Sequence, residues 1–234
     1  MMDFNPLTID TGLLLDLSDD VYPTRVLGWN GETLALPDED ATHYGMVTEG
    51  EARLEAGSGD TFALRSGMFF VAPGRAVVHG EAGRGLVIAR LGYHGLFQIG
   101  GPLEQTGRLR YIDGCTDTLL VCPPRLGEPC LNHLHLPPGT RQTTHDHPSE
   151  RIGVILGGRG ECRTPGGVWP LAPGMGWRIP TGCLHAFFTG EESLDVIAWH
   201  PDSDFGPTDD DHPMANRTLV AGVPASEIPE IRTR

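Results

Sequence analysis

Apolar residues along this chain fall in short runs broken by Gly and Pro, with little of the 3.6-residue spacing of an amphipathic helix. Residues 68–72 (MFFVA), 151–156 (RIGVIL) and 194–199 (LDVIAW) are runs of this kind. In residues 130–136 (CLNHLHL) apolar and polar positions alternate, as on a half-buried strand. The pattern predicts an all-β chain. No amphipathic helix longer than about three turns is evident. Helix is expected only in short pieces, near residues 11–18 and in the C-terminal tail.

Two stretches of the chain resemble each other. Residues 64–68 (LRSGM) and 71–74 (VAPG) match residues 171–175 (LAPGM) and 178–181 (RIPT). Gly67 then corresponds to Gly174 and Pro73 to Pro180, an offset of 107. Upstream, residues 43–47 (HYGMV) match residues 151–155 (RIGVI) at an offset of 108. A one-residue difference is an ordinary loop indel. The spacing predicts a duplicated domain rather than a solenoid. The boundary is expected near residues 100–108, dividing the chain into residues 1–105 and 106–234. The acidic tail from Pro201 onward is expected to wrap one of the two units.

Composition narrows the function classes. Gly (32) and Pro (20) together exceed a fifth of the 234 residues, which suits many short strands and turns. The net charge is −14, from 17 Lys+Arg against 31 Asp+Glu. Such a chain is poorly suited to neutralising phosphates, so no nucleic acid and no membrane surface are expected as partners. No secretion signal or long apolar span is seen. The five cysteines form no CxxC pair and read as reduced thiols in a cytoplasmic protein. A small-molecule substrate is the expected partner, with the chain a monomer or a small homo-oligomer.

The candidate chemistry lies in residues 139–157 (GTRQTTHDHPSERIGVILG). His145 and His147, two apart on an extended strand, point to one side. Both imidazoles can then reach one metal ion about 2.0–2.2 Å from each nitrogen. A third histidine, His185, follows in residues 174–185 (GMGWRIPTGCLH). Three such ligands leave coordination positions open for substrate, water or oxygen.

These two blocks resemble the two motifs of the cupin superfamily, G(X)5HXH(X)3–4E(X)6G and G(X)5PXG(X)2H(X)3N. Gly139, His145, His147 and Gly157 match the first, and Gly174, Pro180, Gly182 and His185 the second. The resemblance covers residues 131–199 well. It implies a double-stranded β-helix, the jelly-roll barrel, and the duplication makes two such barrels in one chain. It also implies one divalent transition metal, Fe(II) favoured, with Mn, Ni, Co or Zn as alternatives.

Two departures matter. Only two residues separate His147 from Glu150, one fewer than the motif's carboxylate ligand needs. Arg151 occupies the usual slot, and a guanidinium does not bind a cation. Either Glu150 shifts inward to coordinate or the site is three-His; the three-His set is preferred. Thr189 stands at the final Asn position, which costs little. An inward Arg151 would suit a substrate carboxylate; equally, it could pair with Glu150 or Glu161 or point to solvent. Cys183 could line the same pocket or simply pack. His133 and His135 form a second HxH pair, expected to face away from the pocket or into an interdomain contact. The first unit lacks the HxH pair. Its His43 falls at the carboxylate slot and His79 near the place of His185, so this unit is read as degenerate and structural.

The resemblance suggests a non-haem Fe(II) dioxygenase acting on a small polar or carboxylated molecule. Alternatives are a metal-dependent isomerase or lyase of a keto or sugar acid, and a non-catalytic small-ligand-binding protein.

Overall fold

The computed structural model describes residues 3–233. Strands dominate it, as the punctuated apolar runs predict. The first half holds two sheets. One has six strands, ordered Gly12–Leu17, Thr24–Asn30, Arg84–Leu91, Ala41–Glu49, Phe69–Pro73 and Gln98–Gly100. The other has four: Thr33–Leu36, Ala76–His79, Glu51–Ala56 and Thr61–Arg65. Between them lies a core that includes Trp29, Leu36, Val47, Leu54, Phe70 and Val78.

The second half is built on one eight-stranded sheet. Its order is Asn5–Leu7, Gly176–Ile179, Arg151–Thr164, Ala186–His200, Cys130–Leu136, Thr116–Val121 and Leu109–Arg110, with Gly167–Leu171 branching from Arg151–Thr164. The pairing paths are open at their ends. The expected division at residue 105 is crossed at the N-terminus: Asn5–Leu7 pairs antiparallel with Gly176–Ile179 of the second half.

The period of two sorts each strand between two cores. Ile152 and Val154 join Tyr44, Ile88, Leu131 and Trp199 in a layer between the halves. The Tyr44 and Trp199 rings stand 5.8 Å apart there. Ile155 faces the other way, into the interior of the second half with Leu136, Trp177, Phe187 and Val196. Each such side chain contributes roughly 1.5–3 kcal/mol by burial, so the alternation holds the register of Arg151–Thr164 firmly. It also turns Arg151 and Gly153 to the same interior face as Ile155. A Cβ on Gly153 would lie 1.8 Å from the Ile197 carbonyl oxygen and 2.8 Å from the Trp177 ring. Only glycine permits that approach.

The sequence repeat is matched by backbone hydrogen bonds. Gly67 N–H donates to Val47 O at 2.9 Å and Val47 N–H to Met68 O at 3.0 Å. Gly174 N–H donates to Ile155 O at 2.8 Å and Ile155 N–H to Met175 O at 2.9 Å. Gly67 and Gly174 have φ of 79° and 77°, the left-handed region that suits glycine. His43 pairs across its sheet with Ala72, and Arg151 with Ile179.

Among the described residues helix is confined to the tail, where Pro213–Arg217 is capped by His212 and two 3-10 turns follow. The helix expected near residues 11–18 is instead the strand Gly12–Leu17. Its Leu-rich run pairs with the free edge of Thr24–Asn30 through a register shift between Leu13 and Leu15. Edge pairing outweighs the helix propensity of leucine. No helix among the described residues is long and apolar enough to cross a membrane.

Candidate metal centre

Two loops bring the three histidines together. His145 and His185 form an isolated antiparallel bridge, each N–H donating to the other's carbonyl at 3.0 and 2.9 Å. Gly182 N–H donates to His147 O at 3.0 Å. The HxH pair is expected on a strand, but the backbone there is a loop holding only this bridge. Pro148 lacks an N–H, and regular pairing begins at Arg151.

One ring nitrogen of each of His145, His147 and His185 lies within 4.8 Å of the others. Ring centroids are 4.6 to 5.1 Å apart. His145 Nδ1 is 2.8 Å from Thr143 O, and His185 Nδ1 is 2.9 Å from Cys183 O. A carbonyl only accepts, so Nδ1 carries the proton and Nε2 keeps its lone pair. Burial, reinforced by Arg151 and the neighbouring histidines, pushes His147 down to about 3. Burial, with His145 and Arg151, pushes His185 down to about 4, against the Cys183 carbonyl. Three converging imidazoles are the donor set a divalent transition metal takes.

Glu150 is not brought to this cluster. Its carboxylate is buried and accepts Arg178 Nε–H at 2.8 Å, while Arg178 also reaches Asp20 at 3.1 Å. Burial raises the Glu150 carboxyl, with Arg178 acting against the rise. Strand alternation explains the choice: Arg151 turns to the interior, so its neighbour turns away.

Arg151 lines the cavity beside the histidines. Its Nη1 donates to Ser149 O at 3.0 Å, Ser149 Oγ at 2.7 Å and Glu150 O at 3.1 Å. It pairs with neither the Glu150 nor the Glu161 carboxylate; the latter holds Arg163. Cys183 packs in the apolar interior and is not a cavity residue.

The cavity measures about 550 Å³. Leu134, Trp177, Ile179, Phe187 and Val196 form its apolar wall. Its polar residues include Asp117, Asn132 and His200, with Asp202 and Asp204 from the tail. None of these five stands out in the sequence, because each lies outside the two motif blocks. Only strand parity beside His133 and His135 hints that Asn132 faces inward.

The other histidines do not converge. His133 and His135 both bond Asp195 Oδ1, at 2.9 and 2.8 Å, away from this cavity. In the first half, His43 is buried with Nδ1 3.2 Å from Ala72 O. His79 lies on the outer face, paired with Glu55 at 3.0 Å. His43 and His79 thus make no site together.

Residues 132–200 match a family model described as the Cupin domain. No curated protein matches the sequence. Among solved structures, the chain is similar to a Cupin 2 conserved barrel domain protein from Leptotrichia buccalis: TM-score 0.60, 13% identity, 85% of this chain and 89% of that one. It is similar to protein Ylba from E. coli, with TM-score 0.63 and 18% identity over 88% and 93%. A salicylate 1,2-dioxygenase from Pseudaminobacter salicylatoxidans gives TM-score 0.58 and 12% identity over 79% and 73%. Identities this low speak to fold. The chain has a cupin-type all-β fold, and its cupin domain carries the three histidines.

Proposed function

We propose that the chain is a metal-dependent cupin enzyme, a non-haem Fe(II) dioxygenase acting on a small carboxylated molecule. The observation that carries this reading is the convergence of His145, His147 and His185 at a cavity that Arg151 also lines. Mn, Ni, Co or Zn in the same ligands would favour isomerase or lyase chemistry. The likeness to a salicylate 1,2-dioxygenase lends support at the level of fold.

His145, His147 and His185 would hold the metal, and Glu150 would serve the scaffold through Arg178. Iron so held supplies Lewis acidity and oxygen chemistry. Arg151 supplies an anchor: Nη1 is fixed by the Ser149 and Glu150 main chain, leaving the rest of the fork for two carboxylate oxygens. The apolar wall of Trp177, Ile179 and Phe187 would lower the dielectric beside that ion pair and strengthen it.

The same reading takes the two halves as copies of one double-stranded β-helix. The matched hydrogen bonds at Gly67 and Gly174 support it, and the first copy would be scaffold. The test is oxygen uptake by protein purified without chelators, on a panel of small thiols, diketones and catechol-like acids. Uptake that requires iron and is lost in His145→Ala supports the proposal. A metal-loaded protein inert to oxygen with the whole panel contradicts the dioxygenase reading.

A further inference from the structure

The cavity wall carries a carboxylate, Asp117, that is tied to neither the histidine cluster nor Arg151. Asp117 stands on Thr116–Val121 opposite Leu134, and both line the cavity. Its Oδ1 accepts Asn132 Nδ2–H at 3.0 Å. Asn132 Oδ1 lies 3.1 Å from His200 Nε2, and His200 Nδ1 lies 2.9 Å from Asp202 O. These polar groups lie side by side on the cavity wall, and Asn132 ties Asp117 to it. Asp117 Oδ2 meets no protein donor among the described residues, and Asp117 forms no ion pair among them. Burial raises the Asp117 carboxyl, with Asn132 acting against the rise. A carboxylate with one oxygen tethered and the other bare gains from a donor brought by a ligand.

The fold sets this carboxylate apart from Arg151. Thr116–Val121 and Arg151–Thr164 are separated by Cys130–Leu136 and Ala186–His200. At about 4.8 Å per strand the two strands are roughly 14 Å apart across the sheet, and Asp117 lies level with Ile155 rather than with Arg151. Both side chains reach inward from these ends, with Asn132 and His200 between them. A ligand held at both would present a carboxylate at one end and a donor at the other.

We infer that the substrate is a small carboxylic acid that also carries a hydroxyl or amino group, which donates to Asp117 while Arg151 holds the carboxylate. This rests on the assignment of Arg151 to the substrate carboxylate. A hydrogen bond to a charged group in such a site is worth about tenfold in affinity or more.

The test is calorimetric titration of the iron-loaded protein without oxygen. The probes are benzoate with its hydroxy and amino derivatives, and hexanoate with 6-hydroxy- and 6-aminohexanoate. Wild type is expected to prefer at least one donor-bearing acid over its parent by about tenfold. The hydroxy and amino arms show which donor is read. Asp117→Ala is expected to abolish the preference and keep the parent acid's affinity; Asp117→Asn, closer in shape, is expected to reduce it. Arg151→Gln should weaken every acid and keep the ratio. No preference in wild type overturns the inference, whether or not the variants fold. So does a preference unchanged in the folded Asp117 variants. Acid binding indifferent to Arg151→Gln, or absent throughout, overturns instead the assignment of Arg151.

Discussion

His145 and His185 exchange both main-chain hydrogen bonds, at 3.0 and 2.9 Å, and their rings stand 4.6 Å apart. The two motif blocks are thus joined by backbone at a pair of residues 40 apart in the chain. Side-chain convergence follows from that bridge, and neither imidazole holds the loops together. Either ring can therefore be removed without unpinning the scaffold.

Glu150 gives a clean separation of scaffold from site. Glu150→Ala strips Arg178 of its buried partner, leaving it only Asp20. The expected loss is roughly 3 kcal/mol of stability, typical of breaking a buried pair from one side. Metal content should be unchanged. Urea unfolding and elemental analysis of the same preparation check both. Metal lost at full stability would put Glu150 among the ligands.

His43 predicts an acid-side weakness in the first half. It is fully buried, and its Nε2 has no partner among the described residues. Burial lowers its pKa, against the Ala72 carbonyl and the Asp38 charge. The unfolded chain therefore binds this proton first as pH falls. The stability concerned is present above about pH 6.5 and is lost below it, at up to about 1.4 kcal/mol per pH unit. Denaturation of wild type and His43→Leu at pH 8 and pH 5 should show a shallower pH dependence in the variant. Parallel pH profiles would contradict it.

Gly153 marks the closest strand approach beside Arg151. Gly153→Ala drives a methyl into the Ile197 carbonyl and the Trp177 ring. A loss of about 3 kcal/mol or more is expected, since backbone atoms yield less readily than side chains. Thermal melting with tryptophan fluorescence reads both the loss and the displaced indole. A neutral substitution would mean the sheet is looser there.

Much of the fold is legible in the sequence because strand parity and Gly/Pro punctuation are local signals. Residues 130–136 form the strand they predict, and the offset of 107 reappears as matched turns at Gly67 and Gly174. Residues 11–18 mislead because an edge strand takes its hydrogen bonds from Thr24–Asn30, which no local pattern shows. His145, His147 and His185 are legible through spacing, and the inward turn of Arg151 follows from parity. The Glu150–Arg178 pair is not, because its partners lie 28 residues apart on neighbouring elements. Asp117, Asn132 and His200 come from three strands and share a wall only once the sheet is formed.

Metal content tests the central claim most directly. Wild type and the His145→Ala, His147→Ala and His185→Ala variants are purified without chelators, and metal is measured per chain alongside thermal melting. About one transition metal per wild-type chain is expected, falling to near zero in each folded variant. Wild type without metal, or folded variants that keep it, would contradict the account.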